Sequence, residues 1–497
     1  MKAWPGRAGL AATGASIGCF LVLAGLGPSA VEPVLAGSGP PFSLHTGPDA
    51  AVVIALMAAG VVLGAAGLGL CLWAVRRGWR CAPRPLLIAG LLATAAFALL
   101  PPVGSSDHLN YAAYGRMVVT GHDPYTTTAS RLPGDPIADA APEWRDTKSV
   151  YGPLITVQQG FASWAGGTSV RLTVFVLSVT NALAFALVGL ILYRTGDPER
   201  RLRSVLLWTL NPLLLFHLVS GAHNDAIGTL TAVGALAAFA GPLRRTFVSG
   251  LLTGAGIAIK FPAALVGGGP AWVLIHSLWT TRGREPLVRL AALFGGAGIV
   301  TLVAYALAGS HAFDQVRNAS KSVSLASVWH LFAGFGGGLL FTVSRSTVQL
   351  AALVLLAVLV WLLIRALPYD PYSSKEISDS RRIAAALVLA WLFSALYILP
   401  WYDGLGWAVL ALLAWSRFDW VLLAHTTALS LAYLPARRAD VIGLPGNLRW
   451  LERTMRPEIM PWVLAGVLLA LVWLCLTDRR PAPGPVPTPQ GPAEPPR

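Results

Sequence analysis

Residues 50–75, AAVVIALMAAGVVLGAAGLGLCLWAV, run without a single charged side chain. A stretch of roughly 18 or more such residues can cross the hydrocarbon core of a bilayer as a helix. Lipid offers no partners to backbone N–H and C=O groups, so a crossing segment must satisfy them internally. Comparable runs recur. They predict membrane helices near 9–27, 50–75, 85–103, 168–193, 203–219, 224–240, 246–262, 263–280, 289–309, 345–366, 382–399, 402–416, 419–434 and 460–477, about fourteen in all. The Pro and Gly residues of FPAALVGGGP also allow 246–280 to be one bent element. The chain is 55% hydrophobic and 12% charged, whereas soluble domains carry about 25% charged residues. We therefore read an all-α, polytopic helical membrane protein over residues 1–480. A Pro-rich tail, 481–497, is expected to be disordered and cytoplasmic.

The net charge of +14 does not point to nucleic acid. The basic residues fall in short clusters between apolar runs, as the positive-inside rule requires. RRGWRCAPR (76–84) is expected in the cytoplasm, and YRTGDPERRLR (193–203), GPLRRT (241–246) and TTRGREPLVR (280–289) agree with it. That leaves 27–49 and the long loop 104–167 outside. One segment resists: PARRADVIGLPGNLRWLERTMRPE (435–458) is strongly basic, yet the helix count puts it outside. Either the count is off by one, or the charge has a purpose such as meeting an anionic lipid headgroup. Two segments, 151–167 and 324–340, read as interfacial or re-entrant amphipathic helices. The first helix reads as retained, not as a cleaved signal. Cys19, Cys71, Cys81 and Cys475 show neither metal-ligand spacing nor a disulfide framework.

Polar chemistry gathers at a few places. SSDHLNYAAYGR (105–116) follows the third apolar run directly. Asp107 there, ionised at its reference pKa of about 3.9, can take a proton from an attacking hydroxyl. It can equally cap a helix. In 121–154, Tyr125, Trp144 and Tyr151 can stack on a sugar ring or anchor the chain at the interface. In SGAHNDAIGTL (220–230), His223 can donate to a phosphate or hydroxyl, Asn224 suits a cap, and Asp225 can order the acceptor or orient a basic residue. Lys260 is a lone cation in GAGIAIKFPAAL; it either snorkels to the interface or holds a phosphate. In YILPWYDGLGW (397–407), Trp401 and Tyr402 fit an aromatic belt, and Asp403 stands beside them. Neither a nucleotide-binding Gly-rich loop nor a metal-ligand cluster is visible.

These pieces come in a recognisable order. SSDHLNYAAYGRMVVTGHDPY, SVYGPL, NPLLLFHLVSGAHNDAI, GAGIAIKFPAAL and PWYDGLGW together resemble the actinobacterial polyprenyl-phosphomannose-dependent α-1,6-mannosyltransferases, the MptB-like family of the glycosyltransferase-C superfamily. The likeness runs from residue 105 to about 410, with a departure at His122, where the family often has Asn. It implies a glycosyltransferase-C fold and a multi-pass plasma-membrane enzyme with its site on the extracytoplasmic face. The implied donor is a polyprenyl-phosphate sugar, and the implied acceptor is a glycolipid or mannan of the cell envelope. It maps the base onto Asp107 and lines the site with His223, Asn224, Asp225 and Lys260. On this reading Lys260, with Arg116 or His223, meets the departing phosphate. Tyr111, Tyr114, Tyr125, Tyr151, Trp401 and Tyr402 are the remaining substrate-binding candidates. No cofactor or metal ligand is assigned, and a divalent metal stays open. One base and one displacement give inversion. The alternatives are a transferase for another prenyl-phosphate sugar such as arabinofuranose, a lipid or solute transporter, and an inactive scaffold.

Overall fold

The computed structural model describes residues 4–196, 198–281, 283–314, 322–332, 343–370 and 373–477. The expected tail at 481–497 lies outside them, as do 333–340 of the expected 324–340 segment, in which Val328–Leu331 forms one 3-10 turn.

Helices stand at every position where the apolar runs place one. In chain order they are α1 (Trp4–Gly25), α2 (Ala50–Arg76), α3 (Pro83–Ala98), α4 (Asp107–Val119), α5 (Pro153–Gly166), α6 (Val170–Thr195), α7 (Pro198–Leu207), α8 (Asp225–Ala238), α9 (Leu243–Ile259), α10 (Gly268–Thr281), α11 (Arg284–Ala308), α12 (Arg345–Ala366), α13 (Lys375–Ser394), α14 (Asp403–Ala411), α15 (Phe418–Ala432) and α16 (Met460–Thr477). Among the described residues, eight helical stretches are long and apolar enough to cross a membrane, and two shorter ones, α3 and α8, are apolar as well. The other six of the about fourteen expected spans are shorter or more polar helices. Helix α14, for instance, has nine residues, about 14 Å of helix, which is half a bilayer core. It is buried from end to end in protein.

Small residues set the closest helix contacts, as is usual where lipid removes the hydrophobic drive between helices. Helices α1 and α2 run antiparallel with Gly9 and Gly67 face to face; a Cβ on Gly67 would stand 2.6 Å from the Thr13 backbone nitrogen. Residues 202–220 are wholly buried and run through the interior of the bundle. It breaks at Asn211, whose side chain accepts from the Leu213 and Leu214 amides, with Pro212 pre-set for the first helical position. After Leu215–Ser220, a wider π turn, Ala222 takes a positive φ of 52°. The Asn181 Nδ2 group donates to the Ala222 carbonyl at 2.6 Å. A left-handed Ala costs about 1–2 kcal/mol, and here it turns the next residue, His223, toward α4.

The long loop is folded. Helices α4 and α5 pack so closely that a Cβ on Gly115 would stand 2.0 Å from the Gln159 carbonyl. The outer side of α5 exposes Val157, Phe161 and Trp164, an apolar ridge at spacings of four and three, as an interfacial helix presents to lipid. The basic segment after α15 packs on the same face: the Arg438 amide donates to Glu143 Oε1 at 3.0 Å and Arg437 to the Ser29 carbonyl at 3.3 Å. Its arginines act as staples. Arg456 binds the carbonyls of Ala432, Tyr433 and Leu434, and Arg449 that of Leu444.

Candidate active site

Asp107 opens α4, and its amide donates to Ser105 Oγ at 2.9 Å. The cap reading does not hold. Ser106 occupies the cap position, and no side chain there accepts from the helix. The Asp107 carboxylate points instead toward His223, with Oδ2 3.7 Å from Nδ1. That is ion-pair distance and too long for a hydrogen bond. Tyr111, one turn along α4, places its hydroxyl 3.4 Å from the same nitrogen, and the Tyr151 hydroxyl donates to Tyr111 at 3.4 Å. The ring of Trp401 stacks on His223 at 3.6 Å between centroids.

Burial changes the expected charge state. The Asp107 side chain is only 18% exposed. Its pKa is raised from 3.8 to about 7, first by burial, then by the negative charge of Glu143; Lys260 pulls in the other direction. It is therefore not the plainly ionised surface acid that the sequence reading assumed. It is a carboxylate poised near neutrality, where a general base works best. The same burial, together with nearby charges and phenols, pushes Tyr111 and Tyr151 far above the usual phenol range, so both remain hydrogen-bond donors.

Lys260 sits at the end of α9, where Pro262 stops the helix and its own backbone is extended. This joins 246–280 as two helices linked by a 3-10 turn, Phe261–Gly267. The ammonium does not snorkel freely. It donates to both oxygens of Asp225 at 2.8 Å and lies 4.3 Å from the centre of the Tyr402 ring. A small cleft opens beside this pair, lined by Asp225, Thr229, Lys260, Pro262, Trp391 and Tyr402 among others. Lys260 and Asp225 both act on the charge of Asp107, so pair and acid belong to one cluster.

Several candidates stand elsewhere. Arg116 is nine residues along α4 from Asp107, about 13 Å away by helix rise, and is engaged by Asp135 at 2.6 Å. It is not at the cluster. Tyr125 bonds Thr156 and packs with Ala258 and Tyr305, which makes it a wedge between the loop and the bundle. Tyr114 donates to the Thr147 carbonyl while its ring leans on Tyr151. Asn224 holds the cap position of α8 without capping it; both its amide atoms are buried without a hydrogen bond in the structure. Asp403 turns away to His425 and Thr426. Conversely, Glu143, Tyr397 and Tyr433 come within electrostatic reach of Asp107. No motif marked them; a carboxylate in a 34-residue polar loop carries no local signal of its partners. Among the described residues, no three His, Cys, Asp or Glu side chains converge as metal ligands would.

Residues 11–276 match the family model described as "Alpha-(1->6)-mannopyranosyltransferase, N-terminal domain". The chain belongs to this family. The matched region contains Asp107, His223, Asp225 and Lys260, while Trp401 and Tyr402 lie beyond it. Relatives include alpha-(1->6)-mannopyranosyltransferase A of Corynebacterium glutamicum, 27% identical over 333 residues, 61% of this chain and 65% of the relative. The protein of the same name in Mycobacterium tuberculosis is 28% identical over 348 residues, 65% of this chain and 64% of the relative. Alpha-(1->6)-mannopyranosyltransferase B of C. glutamicum is 25% identical over 390 residues, 70% and 62% of the two chains. The chain thus spans just under two thirds of the length of these relatives. No solved structure matches it.

Proposed function

We propose that the protein is an inverting membrane mannosyltransferase of the cell envelope. Mannose passes from a polyprenyl-phosphate carrier to a mannoside acceptor, forming an α-1,6 linkage at the outer face. The observation that carries this reading is the juxtaposition of a buried, near-neutral carboxylate with a cation-bearing cleft, in a chain that belongs to a mannosyltransferase family.

The geometry supports the following division of labour. Asp107 accepts the proton of the acceptor hydroxyl as its oxygen attacks the anomeric carbon. The bond from that carbon to the phosphate oxygen breaks with its electron pair, leaving polyprenyl phosphate. Lys260 supplies positive charge to the departing phosphate, and Asp225 holds the ammonium in place until then. Tyr111, Tyr151, His223, Trp401 and Tyr402 form an aromatic, hydrogen-bonding wall suited to a sugar ring. One displacement on a β-linked donor yields an α-mannoside.

The test is a transfer assay with radiolabelled prenyl-phosphomannose and a short α-1,6-mannoside acceptor in membranes. A prenyl-phosphoarabinose arm tests sugar choice. Transfer from the mannose donor, with kcat/KM rising with pH through about 7 as Asp107 ionises, is the expected outcome. Transport without transfer would overturn the reading.

A further inference from the structure

Residues 221–223, between the buried stretch and α8, are shaped around one ring. Gly221 leaves the space that His223 needs: a Cβ on it would stand 2.8 Å from the ring carbon Cδ2. Ala222 takes its positive φ, held there by Asn181. His223 itself is 1% exposed, and Trp401 lies against its face, 3.6 Å between centroids and 16° between planes. The stack fixes the ring plane, and the Nδ1 edge faces α4. Two groups one turn apart on α4 meet that nitrogen: Asp107 Oδ2 at 3.7 Å and the Tyr111 hydroxyl at 3.4 Å.

The hydroxyls decide which way the hydrogens run. Tyr151 donates to the Tyr111 oxygen at 3.4 Å, which leaves the Tyr111 hydrogen for Nδ1. Nδ1 is then the accepting nitrogen of a neutral ring, and the ring proton is on Nε2. Both hydroxyl contacts are long, so Nδ1 is offered a hydrogen without being saturated by it. A lone pair facing an ionised carboxylate makes no hydrogen bond, and a 3.7 Å gap is what that arrangement gives. Once the carboxylate carries a proton, the same two atoms become donor and acceptor.

We propose that His223 is the positioning residue of the base: its Nδ1 accepts a hydrogen bond from Asp107 Oδ2 as that oxygen takes the proton of the acceptor hydroxyl. The assignment rests on Asp107 being the base. During transfer the acceptor O–H bond breaks and its oxygen bonds the anomeric carbon. The bond from that carbon to the phosphate oxygen breaks with its electron pair, and the proton moves to Oδ2. The gap to Nδ1 then closes by about 1 Å to hydrogen-bond length, and the proton passes to water as the products leave. An interaction that is missing in the resting site and made as the proton moves raises kcat. His223 thereby serves the acceptor side of the reaction instead of the departing phosphate.

The experiment measures kcat and donor KM for mannose transfer by the full-length protein in membranes, with thermal unfolding in detergent as the check on folding. His223→Phe keeps an aromatic ring against Trp401 and removes the acceptor; kcat is expected to fall about tenfold with the donor KM unchanged. His223→Leu removes the acceptor from a smaller side chain and is expected to match it. His223→Asn gives up the stacked ring but puts an amide oxygen near the place of Nδ1, and is expected to keep kcat within about threefold of the wild type. A packing role gives the reverse order, since packing favours Phe. Phe or Leu equal to or better than Asn, in variants that fold, overturns the proposal. So does a raised donor KM with kcat held, which returns His223 to the phosphate. Failure of the base reads out separately. Asp107→Asn at the wild-type rate removes the base and this role together, whereas a loss there with His223→Phe at the wild-type rate removes the role of His223 alone.

Discussion

Among the described residues, the two aspartate–histidine pairs other than the exposed His311–Asp314 are built differently. In the bundle, Asp403 meets His425 Nδ1 at 2.9 Å and Thr426 Oγ1 at 2.7 Å, and the Trp407 indole donates in turn to Thr426 at 2.9 Å. Both Asp403 oxygens are engaged within the protein. At the candidate site, Asp107 and His223 stop 3.7 Å apart, and no hydrogen bond joins them. The two cation pairs repeat the contrast. Arg203 grips Asp419 with two nitrogens and gives its third to the Leu410 and Leu413 carbonyls. Lys260 holds Asp225 beside an open cleft. Buried polar groups are ordinarily satisfied. Where they are satisfied by the protein, they stabilise it; where bonding capacity is held back beside a cleft, it is available to a substrate.

That comparison can be broken from either side. The largest effect should follow Asp107→Asn, which removes the base and lowers transfer by about 10²–10⁴-fold in protein that is still folded. A variant with normal transfer puts both aspartates in the structural class. Lys260→Ala should lower kcat/KM for the donor by about 10–10³-fold. It also strands Asp225, so Lys260→Ala with Asp225→Asn is the control: a donor defect that persists in the double variant belongs to the phosphate. Asp403→Asn should do the reverse, costing about 3 kcal/mol of stability with kcat per folded molecule unchanged. Thermal unfolding in detergent measures it, and an intact Tm with lost transfer would move Asp403 into the site. The smallest effect belongs to Arg116→Gln. Its partly buried pair with Asp135 stands away from the cluster, and kcat/KM should change by less than about twofold. A large donor defect would return Arg116 to the phosphate.

Much of the fold was legible because lipid imposes a local rule. An apolar run such as 50–75 must be a helix whatever its neighbours, and the structure places α2 there. The site was legible in part for the same reason: Asp107, His223 and Lys260 stand at the ends of apolar runs, where a chain that exits the bilayer can expose chemistry. Pairings were not legible. Lys260 is 35 residues from Asp225, and Arg438 is 295 from Glu143; no periodicity links residues across such distances. Arg116 misled because it shares a helix with Asp107, and nine residues of helix carry it out of reach.

The sequence by itself determined that the chain is a bundle of membrane helices bearing a polar loop, and which residues that loop and the helix ends could offer. Only the tertiary structure decided which of them meet. It buried Asp107 until its proton affinity approached neutrality, tied Lys260 to Asp225, and turned Asp403 inward. Helix formation in lipid depends on hydrogen bonds four residues apart, whereas the charge of a buried acid depends on whatever the whole fold packs around it.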